Sequence, residues 1–453
     1  MKIIGAIFFM TVTCLQQNFC QQSQNMNLLA NINNHSADGL YSACWGYTAP
    51  DGREYGILGA NRGTAFIDVT DSLNIREVDY VPGLNSCCRE MKTFGNYAYV
   101  VADGVSSGLQ IIDLQYLPDS VHLVNTFFFT GFTRGHTISQ FGAYLFINAG
   151  NYGIGGLFVL DLSSDPVNPI KLGEWEEAVV HDCRIVNDTI YACNIYEPPG
   201  TISVIDATDK DNLQTVTQWR NDPQPGPHNI AISSNRKFAF VTDEINGNPR
   251  MLKVWNIENL FNVIFVTDWQ PTGITTSIIH NVELYGRYLL AAHYTAGVRV
   301  VDVLNPQLIN EAGWYDTYPL NNGFTYDGCW AVYKFPSGKI FASDRQTGAY
   351  VLRTTFDINQ NGEQIPTSYY LKQNYPNPFN PITSIEFAFP VNTNTNVSVY
   401  DSRGRKAATL FDGYTSAGFQ KVSFDGRNFA SGIYFCRLLT KDFSKTIKMV
   451  LLK

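Results

Sequence analysis

Short apolar runs broken by polar turns fill this chain, and one of them returns seven times. It reads Gly63-Thr-Ala-Phe-Ile-Asp68, Gly108-Leu-Gln-Ile-Ile-Asp113, Gly156-Leu-Phe-Val-Leu-Asp161 and Thr201-Ile-Ser-Val-Ile-Asp206. It continues as Met251-Leu-Lys-Val-Trp-Asn256, Gly297-Val-Arg-Val-Val-Asp302 and Gly348-Ala-Tyr-Val-Leu-Arg353. Successive closing positions lie 45, 48, 45, 50, 46 and 51 residues apart. A strand phrase at that period predicts an all-β, seven-bladed β-propeller, one blade per repeat. Within a repeat the pattern predicts four strands. An inner strand such as His228-Asn-Ile-Ala-Ile leads into a second such as Lys237-Phe-Ala-Phe-Val-Thr-Asp243. The recurring phrase is third. An outer strand such as Ile170-Lys-Leu-Gly-Glu-Trp175 closes the unit. Turn pairs such as Asn187-Asp188 mark antiparallel hairpins.

The seventh repeat lacks an outer strand after Arg353, and Asn27-Leu-Leu-Ala-Asn-Ile32 supplies the missing phrase. The N-terminal segment is therefore expected to pair into the last blade and close the ring, which removes an exposed sheet edge. The expected organisation is a signal peptide over 1–20, the propeller over 26–353, a linker over 354–368 and a small β-sandwich over 369–453. Lys2 followed by the apolar stretch Ile3 to Leu15 fits an export signal, too short to span a bilayer. Cys20 as a lipoprotein anchor is an alternative, with Gln-Asn-Phe before it a poor match. The linker holds Asp357-Ile-Asn359-Gln-Asn361-Gly362, the first half of a calcium loop, whose twelfth position would be Ser368 rather than Glu. A plain polar turn accounts for it as well.

A formal charge of −8, with no basic run, argues against a nucleic-acid partner. No segment after the signal is long and apolar enough for a membrane helix. Seven cysteines follow the signal, and export permits disulfides, though an odd number leaves one thiol over. Cys44, Cys88 and Cys329 fall at equivalent places in neighbouring blades, so a disulfide between two of them is expected, with buried free thiols the alternative. Cys183 and Cys193 lie on adjacent strands of one hairpin and are a second candidate pair.

Two resemblances cover nearly everything after the signal. Asn374-Tyr-Pro-Asn-Pro-Phe-Asn-Pro381, Val399-Tyr-Asp-Ser-Arg-Gly404, Asp425-Gly-Arg427 and Ala430-Ser-Gly-Ile-Tyr434 resemble the type A sorting domain of the type IX secretion system. The resemblance implies contact with that machinery and passage to the cell surface or the medium. Residues 26–353 resemble the LVIVD-repeat proteins of the choice-of-anchor B family. The marks are Cys44-Trp-Gly-Tyr47, Gly52-Arg-Glu-Tyr55, Gly108-Leu-Gln-Ile-Ile-Asp-Leu114, the His-Asp and His-Asn pairs, Thr242-Asp-Glu244 and Tyr315-Asp-Thr317. That resemblance implies a propeller and names no activity. At Cys88 the chain departs from the Trp more usual in the family, which alters the packing of that blade start.

Counting back from the third-strand phrase gives the first residue of each inner strand: Trp45, Arg89, His136, His181, His228, His280 and Trp330. Four successive repeats thus start on His. Second strands run back to the same face. Their ends bring Asn61, Asp103, Asn148, Asn194, Asp243 with Glu244, His293, and Asp344 with Arg345. Imidazoles beside Asp182, Asp243 or Glu244 offer nitrogen and oxygen donors suited to zinc, manganese or iron. The metal candidates are His181, His228, His280 and His293. Asn229 and Asn281 follow two of the histidines and are candidate ligand contacts. Three readings stay open: hydrogen bonds across blades, a bound divalent ion, and an organic ligand such as a glycan or peptide. The Asp closing each third strand is instead expected to cap its own turn. The functional expectation is an exported surface propeller acting as a binding module. The alternative is a metal-dependent hydrolase or lyase with Glu244 as base. No phosphate-cradling glycine loop placed before a helix is visible.

Overall fold

The computed structural model describes residues 22–453 apart from 198, 224–225, 246–248, 359–368, 390–392, 416–417 and 442. The signal segment and the calcium candidates Asn359 and Asn361 lie outside the described residues. Asp357 is described and exposed.

Seven antiparallel sheets occupy residues 23–354. Their inner strands are Cys44–Thr48, Arg89–Phe94, Thr137–Phe141, Asp182–Val186, Pro227–Ile232, Val282–Tyr285 and Cys329–Lys334. Each contacts the next, and the seventh contacts the first, so the sheets close into a ring of blades. In six blades the four strands follow in sequence from inside to outside. In the seventh the outer strand is Met26–Ile32, paired antiparallel with Gly348–Thr354, as expected from the N-terminal phrase. The clasp extends further than the sequence suggested: Ser23–Gln24 adds a fifth strand to blade six by pairing with Trp314 and Tyr315.

The hydrophobic pattern follows from this packing. Second and third strands are covered on both faces, so they read as continuous apolar runs; every residue of Glu54–Ala60 is buried. In blade four, Ile190 and Ile205 pack toward Phe146 of blade three, while Tyr191 and Val204 pack toward Val241 of blade five. Outer strands face solvent on one side, and Gln214–Arg220 alternates accordingly. All seven outer pairings carry a register shift, the local bend that twists each blade. The phrases opening on Gly108, Gly297 and Gly348 do so at φ of 61°, 77° and 85°, where a side chain would be strained.

The C-terminal region is a two-sheet sandwich. One sheet orders Tyr370–Leu371, Ile382–Phe389 and Gly418–Asp425; the other orders Lys406–Thr415, Thr393–Asp401, Gly432–Leu439 and Ser444–Leu451. Phe387, Val397, Val399, Phe424, Leu438 and Met449 fill the space between them. The motif residues are structural. Buried Asn374 donates Nδ2–H to Pro376 O and Thr383 Oγ1. Asn377 bonds Lys448 O and Val450 N, fixing the proline-rich lead-in to the last strand.

Candidate functional site

Four imidazoles and an indole line one mouth of the channel. Ring centroids lie 4.6 Å apart for His136–His181, 4.4 Å for His181–His228, 4.0 Å for His228–His280 and 4.6 Å for His280–Trp330. Residues 45 or more apart in sequence become neighbours because each sits at or just before the start of an inner strand. Glu244, from the end of a second strand, reaches over this arc. Its Oε2 lies 3.6 Å from His228 Nε2 and its Oε1 lies 3.6 Å from His280 Nε2. Tyr294 donates its hydroxyl to Glu244 Oε1 at 2.8 Å. Ligand atoms of His181, His228 and Glu244 all lie within 4.8 Å of one another.

Hydrogen bonding assigns the protons. His280 Nδ1 lies 2.6 Å from Trp330 O, which can only accept, so Nδ1 carries hydrogen. Burial, and secondarily His228, holds the His280 pKa well below 6.5, so the ring is neutral. Its Nε2 lone pair therefore faces a carboxylate oxygen, two acceptors across a 3.6 Å gap. His181 is likewise held well below 6.5 by burial and by the neighbouring imidazoles, and burial lowers His228 against the pull of Glu244. His181 Nδ1 and His228 Nδ1 are buried without a protein partner. His136 differs. Burial opposes its protonation, but the hydrogen bond from Nδ1 to Asp103 (2.8 Å) and the negative charges of Asp103, Glu90 and Glu244 together raise the pKa. His136 Nε2 meets His181 Nε2 at 3.1 Å, so one of the two must donate.

A cavity of about 20 Å³ adjoins the arc, lined by Cys88, Glu90, His136, His228, His280, Asn281 and Trp330 among others. That is room for a water or a single ion. Below it, a second cavity of about 30 Å³ is lined by Trp45, Glu90, Lys92, Asp182, Arg184, Asn229, Asn281 and Glu283 among others.

Several expected site residues do other work. Arg89 turns away from the channel, and its guanidinium donates to Ala60 O and Leu84 O inside blade one. Trp45 sits in the deeper layer under Lys92 Nζ, 4.1 Å from its ring centroid. Asp182 and Asn229 bond each other, and Asn229 Oδ1 accepts Val282 N, so this pair links blades four, five and six. Burial pushes the Asp182 carboxyl up to about 7. Asp243 is held by Lys253 Nζ at 2.7 Å, Asn221 Nδ2 and Gly226 N, away from the imidazoles. Asn281 lines both cavities, and its Oδ1 is buried without a partner.

His293 is not part of the arc. It bonds Ser277 and lies edge-on to Trp269, and burial drives its pKa to about 3. Tyr294 takes the place at the mouth instead. Both residues follow the strand Tyr288–Ala292 in a turn where Tyr294 takes φ of 29°, and the backbone there sends the two side chains to different surroundings. Asp243 and Glu244 likewise diverge where their strand ends, and a count that allowed one residue either way would have found Tyr294.

All seven described cysteines are free thiols, against the expected disulfides. Cys183 stands opposite Ala192 and Cys193 opposite Asp182, so the two sulfurs leave opposite faces of the sheet. Cys44 and Cys329 are buried, with contacts to Phe341 O and Ala331 O. Cys88 lies beside its neighbour Cys87, Sγ to Sγ 3.0 Å.

The secretion system C-terminal sorting domain matches residues 373–452, and the LVIVD repeat matches 89–115 and 279–317, in blades two and six. The chain thus carries LVIVD repeats within its propeller and a C-terminal sorting domain, which indicates type IX export to the cell surface or the medium. Among the described residues no helix is long and apolar enough to cross a membrane. Among curated proteins nothing matches the chain. Similar solved structures include PorZ, a surface component of the type IX system of Porphyromonas gingivalis, at 11% identity over 89% of this chain and 59% of that one, TM-score 0.44. Two proteins provisionally assigned as 6-phosphogluconolactonases are also similar. That of Bacteroides uniformis is 12% identical over 85% of this chain and all of that one, and that of Bacteroides fragilis 13% over 86% and all, each with TM-score 0.50. At such identity the likeness of these two speaks for the fold alone.

Proposed function

We propose that the channel mouth is a divalent transition-metal site and that the exported propeller is a metal-dependent binding module. The observation that carries this is the neutral His280 Nε2 facing the Glu244 carboxylate across 3.6 Å, with Glu244 also clustered with His181 and His228. Two acceptors held together in a buried place repel unless a proton or a metal cation lies between them. Two imidazoles, a carboxylate and a further imidazole form a donor set suited to zinc, manganese or iron. Tyr294 orients the carboxylate and Trp330 O fixes the His280 tautomer, the supporting contacts such ligands require.

A purely structural role fits less well. Buried His181 and His228 each leave Nδ1 without a protein partner, open to a further ligand atom. The small cavity beside His228 and His280 has room for one water or one ion. The ligand would supply an oxygen donor from the open side, as a glycan hydroxyl or a peptide carboxylate does.

The test uses the full exported chain, stripped with chelator and titrated with zinc, manganese and iron(II), read by elemental analysis and calorimetry. One ion per chain is expected, with His228→Ala and Glu244→Gln each weakening it by about 100-fold or more. Uptake of no ion, or equal uptake by both variants, ends the proposal.

A further inference from the structure

Five of the seven described thiols are sealed. Cys44, Cys183, Cys193, Cys329 and Cys436 are buried, and burial raises the pKa of each. Cys87 and Cys88 differ from these in exposure and in their mutual contact. Cys87 is exposed, Cys88 is partly exposed, and their sulfurs touch at 3.0 Å without a covalent bond. The segment is held in place around them. Ser86 Oγ accepts from Cys88 N and Asp103 N and donates to Cys88 O, and Asp103 N also bonds Cys88 O. Cys88 lines the same cavity as His136, His228, His280 and Trp330.

We infer that Cys87 and Cys88 form a reversible thiol–disulfide couple at the channel mouth, exchanging two electrons with small disulfides and thiols outside the cell. Cys87 is the attacking sulfur because it is exposed. Either sulfur can donate across this contact, and with the more buried Cys88 as donor the Cys87 pKa is lowered and that of Cys88 raised. The Cys87 thiolate attacks one sulfur of a disulfide RSSR, the S–S bond breaks, and RS⁻ leaves and takes up a proton. Cys88 then loses its proton and attacks Cys87 Sγ, and the second RSH leaves. Two protein thiols are oxidised and one RSSR is reduced to two RSH.

Chain geometry makes the product labile. Adjacent α-carbons sit about 3.8 Å apart, under the usual minimum of about 4.4 Å for a disulfide. Such a ring is strained, and strained, exposed disulfides reopen readily and act as switches rather than staples. The inference does not rest on the metal reading.

The experiment equilibrates metal-stripped full-length protein in mixtures of reduced and oxidised glutathione, quenches with acid, and maps alkylation by mass. The expected result is a two-hydrogen mass loss confined to the peptide carrying residues 87–88, with a single two-electron midpoint. Cys87 should alkylate at least about tenfold faster than any of the five buried thiols. Cys88→Ser should keep one glutathionyl group on Cys87, and Cys87→Ser should lose the reaction while melting like the parent. A Cys87–glutathione adduct in the parent that never proceeds to the ring overturns the inference. So does a pair that ignores oxidised glutathione and is protected only by added zinc, which would make it a cation clamp with Asp103.

Discussion

The turns behind the third strands and the channel mouth are made from the same repeated unit, yet they use repetition in opposite ways. At the turns each copy satisfies itself. Asp68, Asp113, Asp161, Asp206 and Asp302 accept the backbone N–H two residues on, at 2.8–3.0 Å, and Asn256 does the same. Nothing outside the blade is required. At the mouth no copy is complete. His136 needs Asp103 of the previous blade, His280 needs Trp330 of the next, and Glu244 of blade five reaches His280 of blade six. A duplicated residue is a local cap where the chain turns and a share of a common site where the blades converge.

The sharpest way to separate the two is to open the ring. Deleting residues 26–32 removes the outer strand of blade seven, with buried Met26. Melting should fall by about 10 °C or more, and ion uptake at the mouth should go with it. Thermal melts monitored by circular dichroism would show this; an unchanged melt would mean the clasp does not close the ring. A smaller effect is expected of Tyr294→Phe, which leaves the fold intact but frees the Glu244 carboxylate. Metal affinity should drop about tenfold, read by calorimetry with the melting point as control. Asp113→Ala should show the converse, costing about 1 kcal/mol in denaturant unfolding with metal affinity unchanged.

A separate effect concerns pH. Burial, with Arg299 nearby, holds the native His293 pKa near 3, while the unfolded chain binds this proton near 6.5. The unfolded state thus takes up the proton first. His293 contributes fully above pH 6.5, and its contribution is lost as pH falls toward 3. Denaturant midpoints between about pH 7 and pH 4 should decline for the parent and decline less for His293→Asn. Parallel curves would remove His293 from the account.

Much of this was legible beforehand. The period in the phrases from Gly63 to Arg353 identified the blades, and the gap after Arg353 pointed to the N-terminal strand that fills it. The histidine arc followed from counting, since inner strands begin at comparable places. The errors share one cause. Arg89, Asp243 and His293 lie at rim positions by number, but their side chains leave the wrong face or fold back into a blade. Cys183 and Cys193 failed as a pair for the same reason. Such offsets are invisible in a period of about 45 residues, because the pleat alternates every second residue.

What the string of residues decided alone is what each repeat can settle within itself: strands, turns, apolar faces, and the aspartates that cap them. These rest on contacts between residues close in sequence. Which sulfurs touch, which carboxylate meets an imidazole, and which buried nitrogen is left without a partner were decided only when seven units closed around one axis. Those contacts join residues tens to hundreds of positions apart, and a shift of one residue sends a side chain to the other face.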